Sequence, residues 1–225
     1  MRLIAKYEKD DRVKYISHLD TMRAIQRALR RANIPIAFSK GFNPHPKISF
    51  APALSVGITS QGEYMDIILE QAISTSAFVK KTNDALPKGL SIIQAIEVDK
   101  KTPSLNNMIN MASYLIKVFV GNIDGEKIIN DFLNQEHIYV EKKKKKSSRT
   151  IDIRGMIYDI KFISDDETGF VFKSDISTGS QKNLNAELFV RAFLSFMGIL
   201  NAEFKIHRID MFIYHNNRYI TPMEL

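Results

Sequence analysis

The sequence predicts an α+β protein whose chain packs two β-α-β-β-α-β halves. Three observations carry this expectation. Stretches of period-two and period-3.6 apolar patterning follow one another in the same order twice. A polar, proline-containing stretch over 99–111 separates the two runs as a linker, giving halves of 1–98 and 112–225. The chain has 225 residues, 44% hydrophobic and 25% charged, which suits a folded chain with a sizeable core.

The first half opens with Leu3, Ala5 and Tyr7 alternating with Arg2, Lys6 and Glu8, the pattern of a half-buried strand. Residues 13–16 add a short second strand or strand end. Ser17 is a good N-cap and Asp20 completes a capping-box-like pattern, so a helix is expected over 18–32, ended by Asn33 and Pro35. A short strand over 36–38 leads into a loop that holds Gly41 and three prolines. Strand character resumes over 48–51 and 64–69. Ser74 or Thr75 caps a helix to Leu86, and 90–98 is the last strand. This order is the split βαβ arrangement of ferredoxin-like domains.

The second half predicts a strand over 112–120, a helix over 125–134 and a strand over 138–140. A lysine-rich loop, 141–149, follows. Strand character returns over 150–153, and 158–164 with 169–174 reads as a hairpin. Asn185 caps a helix to Met197, and 205–214 is the final strand. The result is a second ferredoxin-like half with an added hairpin.

Composition narrows the function. Without cysteine there is no disulfide framework, thiolate zinc site, cysteine nucleophile or cysteine-held iron–sulfur cluster in this chain. Without tryptophan, Phe and Tyr must supply the aromatic packing. No stretch approaches the roughly 20 apolar residues of a membrane span, and the first residues read as a strand and not a signal peptide, so the cytoplasm is expected. Phosphate-cradling glycine loops and the Gly-x-Ser-x-Gly elbow are absent, and no cofactor is expected. The net charge of +7 favours a polyanionic partner, with RNA the usual one.

Charge placement sharpens this. In the helix over 18–32, Met22, Ile25, Leu29 and Ala32 form the buried stripe, while Arg23, Arg27, Arg30 and Arg31 lie opposite. Arginines stacked on one face repel unless something negative is near. A phosphate-binding face therefore stands beside an ordinary solvated one. Lys40, Phe42, Asn43 and Lys47 surround the loop that follows, and Phe42 beside Gly41 is the best candidate to stack on a base.

The stretch Ser17-His18-Leu19-Asp20, Arg23, Arg27, Arg30-Arg31-Ala32, Pro35, Ser39 and Gly41-Phe42-Asn43-Pro44-His45-Pro46 is unusual. Together with Ala53-Leu54, Val56-Gly57, Ser60 and Glu63-Tyr64 it resembles the radical-SAM-linked family, domain of unknown function 2344. The run from Arg149 through Asp152 to Arg154 resembles that family's second block. The resemblance implies a radical-SAM partner, encoded nearby or fused in relatives, and sometimes a neighbourhood of ribosome and RNA-processing genes. A radical-SAM cluster needs three cysteines, so another chain must carry it.

The leading expectation is an accessory, RNA-binding or substrate-presenting protein in RNA modification or ribosome-related metabolism, not an enzyme on its own. Its RNA- or phosphate-binding residues would be Arg23, Arg27, Arg30, Arg31, Lys40, Phe42, Asn43, Lys47, Arg149 and Arg154. The rival is a metal-independent RNA-processing endonuclease in which His18 or His45, with Asp20 nearby, moves the proton. A third reading is an adaptor whose basic helix docks an acidic protein surface. No metal site is expected, because the histidine and carboxylate spacing matches no recognised ligand set.

Overall fold

A computed structural model of the chain describes residues 1–144, 147–215 and 218–225. It divides into two units, Met1–Asn110 with Asp210–Leu225, and Met111–Ile209.

In the first unit the strands are β1 (Arg2–Lys9), β2 (Ile48–Phe50), β3 (Thr59–Ile68) and β4 (Leu90–Glu97). β1 lies between β4 and β3, β2 pairs with β3, and all three pairings are antiparallel. Helix α1 (His18–Arg31) follows β1, and α2 (Thr75–Ala85) connects β3 to β4. This is the element order of a split βαβ unit. A single helical turn, α3 (Leu105–Met108), follows β4.

The ends of α1 form as its sequence dictates. The Ser17 hydroxyl accepts the Asp20 N–H at 3.2 Å and donates to the Asp20 carboxylate at 2.7 Å. At the other end Asn33 takes φ 52°, and the N–H groups of Asn33 and Ile34 donate to the carbonyls of Arg30 and Leu29 at 3.1 Å each. That is a Schellman stop with Asn in place of Gly. The inner face of α1 sets Ile25 and Leu29 against Leu3, Ala5 and Tyr7 of β1 and Phe78 of α2.

β1 departs from the half-buried strand that its alternation predicts. On its polar-looking face Arg2 is buried and Lys6 and Glu8 are half-buried, because these charges find partners. Arg2 Nε and Nη2 donate to the two oxygens of Asp66 in β3, at 3.0 and 2.5 Å. Arg2 also donates to the carbonyls of Lys100 and Pro103 at 3.1 Å each, and to that of Thr102. The segment after β4 is thereby tied to the start of β1. Lys6 Nζ meets Asp210 at 2.6 Å, and the Tyr64 hydroxyl donates to the same carboxylate at 2.5 Å. Burial and that neighbouring carboxylate push the Tyr64 phenol far above its ordinary value. The expected strand over 36–38 is present only as isolated bridges, Ile36 with Leu69 and Phe38 with Pro46. Pro35, Pro44 and Pro46 lack the N–H groups that a ladder needs.

The second unit contains β5 (Ile109–Phe119, from Met111 onward), α4 (Gly125–Leu133), β6 (Tyr139–Lys144), β7 (Ser147–Asp152), β8 (Ile157–Asp166), β9 (Gly169–Ser177), α5 (Ala186–Phe196) and the first part of β10 (Glu203–His215). The strand order is β10-β5-β9-β8, with β6 and β7 as a separate hairpin. The remainder of β10 and β11 (Arg218–Ile220), which pairs with it, belong to the first unit. With no tryptophan available, the core is built from phenylalanines. Phe193 lies 5.0 Å from Phe132 and 5.1 Å from Phe172, ring centre to ring centre. Edge and tilted contacts of this kind add to plain area burial.

The lysine-rich stretch expected as a loop over 141–149 is, where described, the two arms of the β6–β7 hairpin, with Val140 opposite Ile151 and Glu141 opposite Thr150. Buried Ile138, Val140 and Ile153 anchor its base, so backbone pairing runs outward into the charged part. Lys145 and Lys146 lie outside the described residues.

Candidate nucleic-acid interface

Arg23, Arg27, Arg30 and Arg31 are all exposed on the outer face of α1, away from the buried Thr21, Ile25, Ala28 and Leu29. Their surroundings differ. Arg23 pairs with Asp20 one turn earlier at 3.2 Å. Arg31 Nη2 donates to the Ala85 carbonyl at the end of α2, at 2.6 Å, and so ties the two helices together. Arg27 and Arg30 have no ion-pair partner among the described residues. The Asp20 carboxyl sits below its usual range, first through the Ser17 hydroxyl and then through Arg23, with Arg27 adding through space. One carboxylate thus faces a stripe of arginines, and the stripe keeps an excess of positive charge.

The loop after α1 is closed by Ser39. Its main-chain N–H donates to the His45 carbonyl, and its hydroxyl accepts the His45 N–H, each at 2.9 Å. Within that closure Gly41 takes φ 126°, a region that side chains rarely enter. Lys40, Phe42, Asn43 and His45 are exposed around the turn, and Lys47 follows it. Phe42 is fully in solvent, with a relative exposure of 112%. A closed loop that holds a phenylalanine out in water presents a stacking surface beside positive charge.

His18 lies elsewhere. Nine residues separate it from Arg27, and at 100° per residue that turns it about 180° from the arginine stripe. Its ring meets buried Phe50 edge-on at 6.0 Å, and Phe50 in turn meets Tyr7 at 6.3 Å. His18 is therefore brought to the end of β2, while His45 is held in the Ser39 loop. Among the described residues no group of three or more His, Asp or Glu is placed to hold a metal ion.

In the second unit Arg149 is exposed on β7. Arg154 is engaged, with its Nε donating to the Leu133 carbonyl at the end of α4 at 3.1 Å. Asp152, between them in sequence, accepts the N–H groups of Ile138 and Arg154 at 3.0 Å each, and its other oxygen meets His137 Nδ1 at 2.7 Å. The His137 ring stacks on Tyr139 at 5.5 Å. Sequence reasoning missed His137. Its only signal is the hairpin register, which sets Tyr139 opposite Asp152.

Chiefly the Arg154 N–H, then the His137 ring and the Ile138 N–H, pull the Asp152 carboxyl down to about 2. A carboxyl lowered by folding stabilises the native state above its ordinary value near about 4, and that stabilisation is lost as pH falls through the folded value. The melting-temperature gap between the native chain and Asp152→Asn is therefore expected to be widest above pH about 4 and to close toward pH about 2. A gap constant from pH 6 to 2 would remove Asp152 from the acid response.

The family is shown by sequence. The chain belongs to the family described as "Uncharacterized protein conserved in bacteria (DUF2344)", which matches residues 2–186. No curated protein matches it. Among solved structures it is similar to a chain of "Crystal Structure of a Cbf5-Nop10-Gar1 Complex", with 11% identity over 93% of this chain and 48% of that one and a TM-score of 0.51. A second similarity is to a chain of "Structure of H/ACA RNP bound to a substrate RNA containing 2'-deoxyuridine", with 10% identity, 92% and 46% coverage and a TM-score of 0.46. The chain spans about half the length of these solved chains. At such identities the likeness is one of fold. No helix among the described residues is long and apolar enough to cross a membrane.

Proposed function

We propose that this is a cytoplasmic RNA-binding protein that presents an RNA, or an RNA-bound intermediate, to a separate radical-SAM enzyme. In this reading the chain is two ferredoxin-like halves, 1–98 and 112–225, joined by 99–111. The observation that carries it is the outer face of α1, where Arg27 and Arg30 stand exposed and without an ion-pair partner among the described residues. Arg23 stands beside them, and Lys40, Phe42, Asn43 and Lys47 stand on the segment that follows. Phosphate contacts by such side chains supply affinity, and an exposed ring supplies stacking on an unpaired base. The net charge of +7 supports the same partner. The 225 residues contain no cysteine, so in this reading a radical-SAM cluster is held outside them.

Arg27→Ala with Arg30→Ala is expected to weaken binding of a labelled single-stranded RNA and to flatten its salt dependence. The slope of log K against log salt should shrink by about 1.4, two contacts at about 0.7 each. Fluorescence anisotropy across a salt series measures this. An unchanged slope would overturn the assignment of α1 to RNA.

A further inference from the structure

One groove in the second unit includes Arg149 but none of the α1 or Ser39-loop residues of the reading above. It has a volume of about 500 Å³ and lies where the end of β7 meets the loop between β9 and α5. That size is typical of a site for one small ligand. Both walls are fixed by hydrogen bonds within the chain. On the β7 side, Asp152 is held by the N–H groups of Ile138 and Arg154 and by His137. Across from it, the Ser177 hydroxyl donates to the Lys182 carbonyl at 3.1 Å, the Leu184 N–H donates back to the Ser177 carbonyl at 2.9 Å, and the Thr178 hydroxyl donates to Asn183 Oδ1 at 3.0 Å. A binding surface ordered before its ligand arrives loses less entropy on binding.

The chemistry of the lining is mixed in a specific way. Arg149 and Lys182 are exposed cations with no ion-pair partner among the described residues. Asp152 is ionised on the β7 wall, so Arg149 and Lys182 leave the lining with one net positive charge. The Thr178 bond occupies Asn183 Oδ1 and leaves the amide N–H donors of Asn183 without a partner among the described residues. Half-buried Ile151 and Met156 supply apolar surface. Two cations, an amide with spare donors and an apolar wall suit the phosphate, the base edge and the base face of a nucleotide.

We infer that this groove binds a nucleoside phosphate unit, with Arg149 and Lys182 on the phosphate and Asn183 on the base edge. The same unit occurs in a free nucleotide and in an RNA chain. The second source rests on the RNA reading proposed above; the first does not.

The test uses the full chain, adenosine and uridine 5′-monophosphates, inorganic phosphate and a single-stranded oligouridylate. Calorimetry or NMR titration reads binding to the native chain, to Arg149→Gln with Lys182→Gln, and to the α1 variant Arg27→Ala with Arg30→Ala. The groove variant is expected to lose about tenfold in affinity for the monophosphates, the scale of losing charge-assisted hydrogen bonds, while the α1 variant keeps it. Phosphate alone should bind more weakly than either nucleotide. An oligomer that binds more tightly than the monophosphates, and is weakened by the groove variant, identifies RNA as the source; an oligomer no tighter identifies the free nucleotide. If neither monophosphate nor oligomer binding changes in the groove variant, the inference is overturned. Unaltered melting of that variant excludes misfolding, and Lys182→Glu, a charge reversal at an exposed side chain, gives a second reading with the same expected loss. Loss of RNA binding in the α1 variant alone would leave the groove without a role in RNA, and loss in the groove variant alone would remove α1 instead.

Discussion

Asp66→Ala is expected to lower the unfolding free energy by about 3–5 kcal/mol, because it strips a buried cation of its counter-charge. Arg2 and Asp66 expose 9% and 7% of their side chains, and their contact is bidentate. The hydrogen bonds to Asp66 are the largest reason that the Arg2 guanidinium is held above its ordinary value. In the variant that guanidinium would keep the carbonyls of Lys100, Thr102 and Pro103 as hydrogen-bond partners, with Asp99 acting through space alone. The carbonyls satisfy N–H donors but carry no full charge. Arg2→Met combined with Asp66→Leu is expected to recover most of the loss, since an apolar pair leaves no buried charge. Urea unfolding followed by circular dichroism measures both. A loss under about 1 kcal/mol for Asp66→Ala, the range of an exposed pair, would show that water reaches the contact.

Gly169→Ala is expected to cost more than about 3 kcal/mol through a separate mechanism. Gly169 opens β9 with φ 152°, and a Cβ there would lie 1.9 Å from the Val118 carbonyl oxygen and 3.0 Å from the Val120 nitrogen. The obstruction is backbone, so no side-chain rotation relieves it. β5 would have to move away from β9, to which it is paired from Met111 through Val118. Gly155 is the matched control, with nothing within 4 Å of its would-be Cβ. Gly155→Ala should stay within about 0.5 kcal/mol. Equal stability of the two variants in a thermal melt would remove the close approach at Gly169 as the cause.

Local features were readable in advance wherever a short-range rule governs them. The Ser17 cap and the Asn33 stop follow from residue type and position, and they bound α1 as its sequence suggests. The position of His18 was also written in its spacing, since half a turn separates it from Arg27. The contacts that decide what each arginine does were not readable. Arg31 reaches a carbonyl 54 residues away, and Arg154 one 21 residues away. Neither has a local signal. Arg2 and Lys6 look like the wet face of a strand because alternation reports residue type and not what later covers that face. The lysine run misled for the opposite reason. Its composition describes a solvated segment, while its buried neighbours Val140 and Ile153 set the pairing. The exposed charge of α1 was legible; the groove beside Arg149 was not, because its walls come from segments about thirty residues apart.

The division of β10 has a consequence for the order in which the protein is made. Asp210 closes the first unit through Lys6, 204 residues earlier, and Tyr64, 146 residues earlier. The second unit, Met111–Ile209, is one continuous stretch and leaves the ribosome whole before Asp210 has emerged. The N-terminal residues must therefore wait for the C-terminal ones, with Lys6 and Tyr64 unpaired throughout translation of the intervening unit. Long-range closure of this kind is slow. The half of the chain made first is the half that finishes last.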